Sequence, residues 1–534
     1  MEVGTKKMTE LFVSAQHKML VVPKATAVAN MFPAAQVVTL KGNEFHLVPH
    51  HPAEAFLLRT MGYTVPAPIL THYDWPGDKK PFDAQRQTAG LLTMNKRAYV
   101  LNSMGTGKTK AALWAWDYLR SRGLAKKMLV ISPLSTLKFT WDREVFNTLP
   151  HRKSIVVHHS SRAKRVERLN DPEADILIIN HDGAKLLHNE IAALIKAGVI
   201  DTICIDELAV YRNGKSIRTK SMKELAKGCE WVWGMTGSPM PRSPTDVWSQ
   251  CQIITPHTVD KFFGHFRDRV LIKINQFKYA PKANAVETAY GVMQPAVRFT
   301  MDDVQELPEL VVQTRDIPMG AVQAKIYKAL AGACHAALGK QEITAANAGA
   351  VMLKLLQVAT GWVYDKERAV VTLDGKDRIE ALVETIDQAE QKVLVFVPFI
   401  HALDGISAAL TAEGIDHAVV SGNTAIGARS TIFNDFQNTA KYKVLVAHPQ
   451  CLAHGITLTT ANTIVWYAPV TSLEIYEQAN ARIRRVGQRH KQLVLHLQST
   501  PVERKIYKLL QNNQQVQDAF LAMFADETMQ NPIT

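Results

Sequence analysis

Cysteine is scarce in this sequence and scattered where it occurs. The 534 residues hold five, at Cys204, Cys229, Cys251, Cys334 and Cys451, and no two form a Cys-x-x-Cys pair. That spacing supports neither a disulfide framework nor a zinc site and points to reduced core thiols. No apolar run approaches the ~20 residues that span a bilayer, so no membrane partner is expected. The opening Met1-Glu2-Val3-Gly4-Thr5-Lys6-Lys7 leads into no signal-peptide core, and a cytoplasmic protein is expected. Short-period repeats and low-complexity tracts are missing too. Acidic residues are outnumbered, 49 against 62 basic ones, and the net charge of +13 favours a polyanionic partner without saying which. His46, His50 and His51 lack Cys or carboxylate partners at ligand spacing, so a surface cluster is expected there rather than a metal site.

What is present is ordinary for a soluble globular protein: 47% hydrophobic and 21% charged residues, with length enough for about two to four domains. The most informative stretch is Asn102-Ser103-Met104-Gly105-Thr106-Gly107-Lys108-Thr109. It follows a strand-like run, Ala98-Tyr99-Val100-Leu101, and opens a helix-like one from Lys110 to Trp116. Strand, glycine-rich turn and helix start are the context of a phosphate-binding loop. Glycines let several N–H groups converge on phosphate oxygens, and the helix N-terminus adds partial positive charge. Lys108 would reach the β- and γ-phosphates, and the Thr109 hydroxyl would ligate Mg²⁺. One departure is visible: the full pattern places Gly where this chain has Asn102.

Residues 1–78 lack phosphate-loop features and form an N-terminal accessory segment, with a strand at Phe45–Val48 and a short helix at Pro52–Arg59. Across 79–258, short apolar strands alternate with helices: Ala98–Leu101, Met128–Ser132, Ile155–Val157, Asp175–Asn180, Thr202–Asp206 and Trp231–Thr236. This is the pattern of a parallel sheet covered on both faces, with ligands at the carboxyl ends of its strands. Residues 259–375 are irregular and more helical, and read as a connector or insertion. Basic and aromatic residues interleave there from Lys261 to Lys282; they suit nucleic-acid contact or a helical packing face equally. A second strand series fills 376–534: Lys392–Val397, His417–Ser421, Val444–Ala447, Thr463–Tyr467 and Leu493–Leu497. The expected fold is α/β, two parallel-sheet lobes joined by a mainly helical connector.

Chemistry concentrates at strand ends. Thr202-Ile203-Cys204-Ile205 runs into Asp206-Glu207, where Asp206 would hold Mg²⁺ and Glu207 would polarise an attacking water. Met235-Thr236-Gly237-Ser238-Pro239 suits a segment that senses nucleotide. In the second half, Gly455–Asn462 precedes a strand, and Tyr476–Gln488 places Arg482 and Arg485 three apart, on one face if helical. Two guanidiniums so placed would stabilise a transferring γ-phosphoryl.

Together these motifs, from about Pro81 to Tyr507, resemble superfamily-two helicases, most closely the Swi/Snf-like DNA translocases. The resemblance implies RecA-like lobes, ATP and Mg²⁺ as cofactors, and DNA-dependent ATP hydrolysis that drives translocation on duplex or branched DNA with little sequence preference. It makes Gln85, in Pro81–Gln85, the adenine contact, and assigns nucleotide contacts to Met104, Gly105, Thr106, Gly107, Lys108, Thr109, Gly455 and Gln478. The catalytic group becomes Lys108, Asp206, Glu207, Arg482 and Arg485, with Thr109 and Asp206 at the metal. Nucleic-acid contacts fall on Ser132, Pro133, Asn180, Thr236, Gly237 and Thr457, and Trp141 and Glu144 follow the first of these motifs. Thr500–Tyr507 looks like the family's tail that braces the lobes. Where many relatives carry His as the fourth residue of the Asp-Glu motif, this chain has Ala209. The lack of nucleosome-handling appendages implies a compact bacterial or viral protein, acting in the cytoplasm of its cell or host, expected as a monomer. Replication, recombination or restriction proteins are the expected partners. The alternatives are an RNA helicase of the same superfamily, a nucleic-acid-binding scaffold with a decayed ATPase, and the motor of a restriction or repair assembly.

Overall fold

A computed structural model describes residues 11–275, 279–304, 307–339, 345–365, 369–452, 456–485 and 487–512. By its internal contacts the chain parts into two units, Met1–Val304 and Gln305–Thr534.

The first unit begins with strands β1 (Phe12–Ser14), β2 (Met19–Pro23), β3 (Gln36–Leu40) and β4 (Asn43–Pro49), antiparallel in the order β1-β2-β4-β3. This accessory sheet does not stand apart. Leu20, Val22 and Val48 belong to the same buried cluster as Val100 and Trp114 of the parallel sheet and its covering helix. The stretch leading out of it is fastened by polar bonds: Tyr73 Oη donates to Asp117 Oδ2 (2.7 Å), Trp114 Nε1 to Pro76 O (2.8 Å) and Lys110 Nζ to Asp78 Oδ1 (2.9 Å). The histidines correct one expectation. The alternation of β4 turns His46 inward with Val48, and His50 is fully buried; His51 alone of the three is exposed. His50 bonds Pro66 O and the His72 ring.

The parallel sheet of this unit comprises β5 (Arg97–Val100), β6 (Lys127–Ser132), β7 (Ser154–Val156), β8 (Ile176–Asn180), β9 (Ile200–Asp206), β10 (Trp231–Met235) and β13 (Ala296–Val297). A small hairpin, β11 (Leu271–Lys273) and β12 (Tyr279–Pro281), precedes β13. Among the described residues the order is β13-β5-β10-β9-β6-β8-β7, every pairing parallel. Successive residues pack on opposite faces: Met128, Val130, Ile176 and Ile178 enter one buried cluster, while Leu129, Ile131, Leu177 and Ile179 enter another. That is why these strands read as continuous apolar runs rather than alternating ones. The sheet brings Leu101–Gly107, Ser132, Asn180, Asp206 and Thr236 to one edge, the carboxyl ends of its strands.

The second unit repeats the plan. Its sheet contains β14 (Leu310–Asp316), β17 (Lys392–Phe396), β18 (His417–Val420), β19 (Val444–Ala447), β20 (Ala461–Trp466) and β21 (Gln492–Gln498), beside a hairpin of β15 (Trp362–Tyr364) and β16 (Val370–Thr372). The order is β14-β21-β20-β17-β19-β18, again parallel throughout. The segment 259–375 is thus shared out. Its first part ends in β13 and joins the first sheet; its later part supplies β14 and the helices Ala321–Gly339 and Ala345–Thr360 of the second unit. The helix Pro501–Gln511, preceded by a Thr500–Glu503 capping box, packs into the core of the second unit through Val502, Ile506, Tyr507 and Leu510.

Candidate functional site

The loop after β5 closes on helix α2 (Lys108–Ser121). Gly105 and Gly107 take φ of +84° and +79°, the left-handed region that glycine enters without cost. A side chain at Gly107 is excluded for a second reason. A Cβ there would lie 1.9 Å from Gln85 Nε2, so the expected adenine contact already rests on the loop backbone. Gln85 sits on helix α1 (Asp83–Met94), buried, its Oε1 accepting Phe82 N–H at 3.0 Å. Lys108 Nζ folds onto the loop, donating to Asn102 O (2.9 Å) and Ser103 O (3.1 Å). Thr106 is buried and caps Ser103 O at 2.9 Å; Met104 and Thr109 are half-buried beside it.

Asn102, the departure from the glycine pattern, has a structural partner on each side. Its Nδ2 donates to Thr88 Oγ1 on α1 (3.0 Å), and its Oδ1 accepts Phe299 N–H just beyond β13 (2.9 Å). Ser103 N–H in turn donates to Phe299 O at 2.8 Å. Glycine at 102 would make neither side-chain bond, so the loop's first residue here ties it to both flanks.

Thr236 and Gly237 lie against the same loop. Thr236 N–H donates to Val100 O at 3.0 Å, and Gly237 approaches Asn102 O and Met104 closely enough that a Cβ would stand 3.6–3.7 Å from them. At the end of β9, Asp206 Oδ1 accepts the Glu207 N–H (3.1 Å) and Oδ2 accepts the Trp141 indole N–H (2.9 Å). Burial pushes the Asp206 carboxyl up, while Trp141, Lys108 and the Glu207 N–H each pull against it. Lys108 and Asp206 therefore share one electrostatic neighbourhood. Glu207 holds φ of +51°, a left-handed conformation uncommon for a non-glycine residue and strained relative to ordinary backbone.

No group of three or more His, Cys, Asp or Glu side chains suited to a metal occurs among the described residues. A half-buried carboxylate at the end of a strand, in the same sheet as a phosphate-type loop, suits a hard ion that takes few protein oxygens and completes its shell with phosphate and water, as Mg²⁺ does. Asp206 and Thr109 are the side chains that the sequence leads one to expect around such an ion.

The remaining expected contacts divide. Ser132 and Thr236 are buried, Pro133, Asn180 and Gly237 half-buried, and Thr457 exposed. Ser132 and Asn180 stand side by side in the β6–β8 register, and Ser132 Oγ has no hydrogen-bond partner among the described residues. Gly455 lies outside the described residues. In the second unit, helix α4 (α3 being Lys376–Gln388) covers Leu473–Asn480 and stops there. Arg482 and Arg485 thus do not share a helical face. They follow the helix in turns, where the Arg482 N–H donates to Ala479 O (3.1 Å) and the Arg482 carbonyl accepts Leu458 N–H (3.1 Å). Each guanidinium reaches back four residues, Arg482 Nε to Gln478 O (2.7 Å) and Arg485 Nε to Ala481 O (3.0 Å). Each also grips the 456–458 turn, Arg482 at Ile456 O (3.0 Å) and Arg485 at Thr457 Oγ1 (2.9 Å). Burial pulls the Arg485 guanidinium down to about 10. Gln478 is buried, its Nε2 donating to Glu474 Oε1 at 3.3 Å.

Compared with known protein families, residues 89–363, just over half of the chain, match the SNF2-related domain. The chain belongs to the SNF2-related family. Residues 377–487 match the helicase conserved C-terminal domain, so the SNF2-related chain carries both helicase-type regions, each with its own parallel sheet flanked by helices. Relatives include protein p41 of Acyrthosiphon pisum secondary endosymbiont phage 1, 25% identical over 404 residues, covering 73% of this chain and 85% of p41. The SWI/SNF-related matrix-associated actin-dependent regulator of chromatin subfamily A-like protein 1 of Xenopus laevis is 25% identical over 436 residues, 78% of this chain and 42% of that protein. The ATP-dependent DNA helicase DDM1 of Arabidopsis thaliana is 23% identical over 419 residues, 72% of this chain and 54% of that one. The chain therefore spans about half the length of these last two. Among solved structures, the Sulfolobus solfataricus SWI2/SNF2 ATPase core in complex with dsDNA is 20% identical, with a TM-score of 0.40, covering 84% of this chain and 96% of the other. No helix among the described residues is long and apolar enough to cross a membrane.

Proposed function

We propose that this SNF2-related protein is a DNA-stimulated, Mg²⁺-dependent ATPase that moves along duplex or branched DNA. The observation that carries the reading is the first unit's strand-end cluster: the Asn102–Lys108 loop under Gln85, with Thr236-Gly237 against it and Asp206 within the field of Lys108. Gln85 orients the base, and the loop N–H groups and Lys108 hold the phosphates. Asp206 and Thr109 hold Mg²⁺, which would neutralise charge on the β- and γ-phosphates. Glu207 orients and polarises the attacking water. Arg482 and Arg485 supply positive charge to the transferring phosphoryl, with Gln478 and Gly455 as further nucleotide contacts. The net charge of +13 favours a phosphate backbone as the track. Pro133, Asn180, Gly237 and Thr457 are its contacts, and the buried Ser132 and Thr236 shape the turns that present them.

In this reading 1–78 is accessory, 79–258 the ATP-binding lobe, 259–375 the connecting region and 376–534 the C-terminal lobe. The protein works in a bacterial or virus-infected cytoplasm as a monomer, alongside replication, recombination or restriction proteins. The test is a set of single variants. Lys108→Ala abolishes hydrolysis, and Glu207→Gln binds nucleotide yet turns over slowly. Arg482→Ala leaves binding within a few-fold but cuts turnover by ~10³, the scale of an arginine finger. Wild-type turnover in Glu207→Gln contradicts the assignment.

A further inference from the structure

Trp141 has a feature that its place after a nucleic-acid motif does not account for. Its ring is fully buried, and its indole N–H reaches Asp206 Oδ2 at 2.9 Å. It does not stand on a regular helix. After Ser132-Pro133 the chain forms a 3-10 turn, Leu134–Thr136, then a π-helical segment, Leu137–Asp142, before the α-helix Arg143–Thr148. A π segment is a rare distortion, frequent at functional sites. An indole donor is chemically apt for a carboxylate that must attract a cation. It fixes the direction of the carboxylate without cancelling its charge, as a Lys or Arg partner would. The other Asp206 oxygen is fixed by the Glu207 N–H, also an uncharged donor.

The far end of this segment is open to solvent. Leu134, Ser135 and Lys138 are exposed, on the turn that begins at the proposed nucleic-acid contact Pro133. The residue that ends the Asp-Glu motif is Ala209, 4% exposed, whose methyl group offers no hydrogen bond with which to carry a signal. Resting on the ATPase reading above, we infer that Trp141 is a positioning residue. It sets the Asp206 carboxylate and links nucleic acid bound at the 133–138 turn to the divalent cation bound with nucleotide.

The experiment replaces Trp141 in the full chain with β-(3-benzothienyl)alanine, which keeps the bicyclic shape and has sulfur where the N–H was. Trp141→Phe and Trp141→His accompany it. Trp116→Phe serves as a packing control, since Trp116 is equally buried but donates to Lys126 O (3.2 Å). The readouts are Mg²⁺-dependent binding of a fluorescent ATP analogue, without hydrolysis, and the ratio of duplex-stimulated to basal ATPase. The benzothienyl variant raises the Mg²⁺ midpoint by about 10–100-fold, the usual effect of losing a residue that orients a metal ligand. It also drives the stimulation ratio toward unity, while nucleotide binding without Mg²⁺ is unchanged. Trp141→His, whose imidazole can donate, recovers part of both losses, and Trp116→Phe moves neither. A benzothienyl variant with the wild-type midpoint and ratio overturns the inference. A raised midpoint with stimulation intact overturns the link to nucleic acid. If the wild-type protein shows no Mg²⁺-dependent nucleotide binding, the ATPase reading itself falls, and the inference with it.

Discussion

Replacing Arg378 with Met should unfold the second unit far more readily, and the structure sets the scale. Arg378 is 2% exposed and Glu503 fully buried, joined at 2.6 Å. The guanidinium also donates to Leu497 O (2.7 Å), Ala359 O (2.8 Å), Tyr467 O (3.0 Å) and Ser499 Oγ (3.2 Å), fastening helix α3 to the last strands of the sheet. Methionine fills much of the space but leaves the Glu503 carboxylate buried without a countercharge, beside carbonyls that have lost their donor. Removing one partner of a buried ion pair typically costs about 3–5 kcal/mol. With a urea dependence of ~2–3 kcal/mol per molar for a unit this size, the second unit's transition moves down by about 1–2.5 M. Glu503→Gln added to Arg378→Met should recover at least half of that. The neutral amide removes the stranded charge while still accepting from Ser499 N–H and Thr500 N–H. Urea titration followed by circular dichroism and tryptophan fluorescence resolves this, since the two units have separate cores. A shift below ~0.3 M, or a double variant no better than the single one, refutes the charge argument.

Two other changes test separate parts of the account. Asn102→Gly, which restores the usual glycine, loses the bonds to Thr88 and Phe299 and should destabilise the first unit by about 1–3 kcal/mol in urea titrations. Asn102→Asp, which keeps the acceptor for Phe299 N–H, should lose more, because it buries a charge and turns a carboxylate oxygen toward Thr88 Oγ1, whose hydroxyl already donates to Ala84 O. In the second unit, burial pulls the His496 imidazole from 6.5 down to about 3, where it bonds Tyr476 Oη and stacks on Tyr507. The folded state thus holds it neutral, so its contribution is complete above pH 6.5 and lost progressively as pH falls toward 3. The urea midpoint of the second unit should fall over that window, and His496→Phe should flatten the profile.

The parallel sheets were legible because their strands are buried on both faces. Each apolar run from Ala98 to Leu497 that reads as a strand forms one, with ends shifted by only a residue or two. Two of the edge strands, β14 and β13, were not. β14 is largely exposed, and β13 spans two residues whose partners come from β5, so no local period marks either. At the site, glycine, lysine and paired carboxylates announce themselves by type and spacing. Their supports do not. Asn102 stood out as a departure, yet its partners lie 14 and 197 positions away, and Trp141 meets Asp206 across 65. The helical spacing of Arg482 and Arg485 misled, because the helix ends at Asn480, where the Gln478 carbonyl accepts the Arg482 guanidinium and the Arg482 N–H turns to Ala479 O. His46 and His50 misled because polarity pointed outward while strand alternation pointed in.

The most direct test of the central claim is ATP turnover of the full chain with duplex, branched and single-stranded DNA and with RNA, at one salt concentration, with Lys108→Ala as the blank. The same preparations are then assayed for displacement of a third strand from a triplex. Duplex or branched DNA should stimulate turnover most, with little dependence on sequence and a steep loss as salt rises, because phosphate contacts carry the binding. Third-strand displacement should require ATP, and a plain tailed duplex should be unwound weakly. Robust unwinding of tailed RNA duplexes, without stimulation by duplex DNA, would contradict the account.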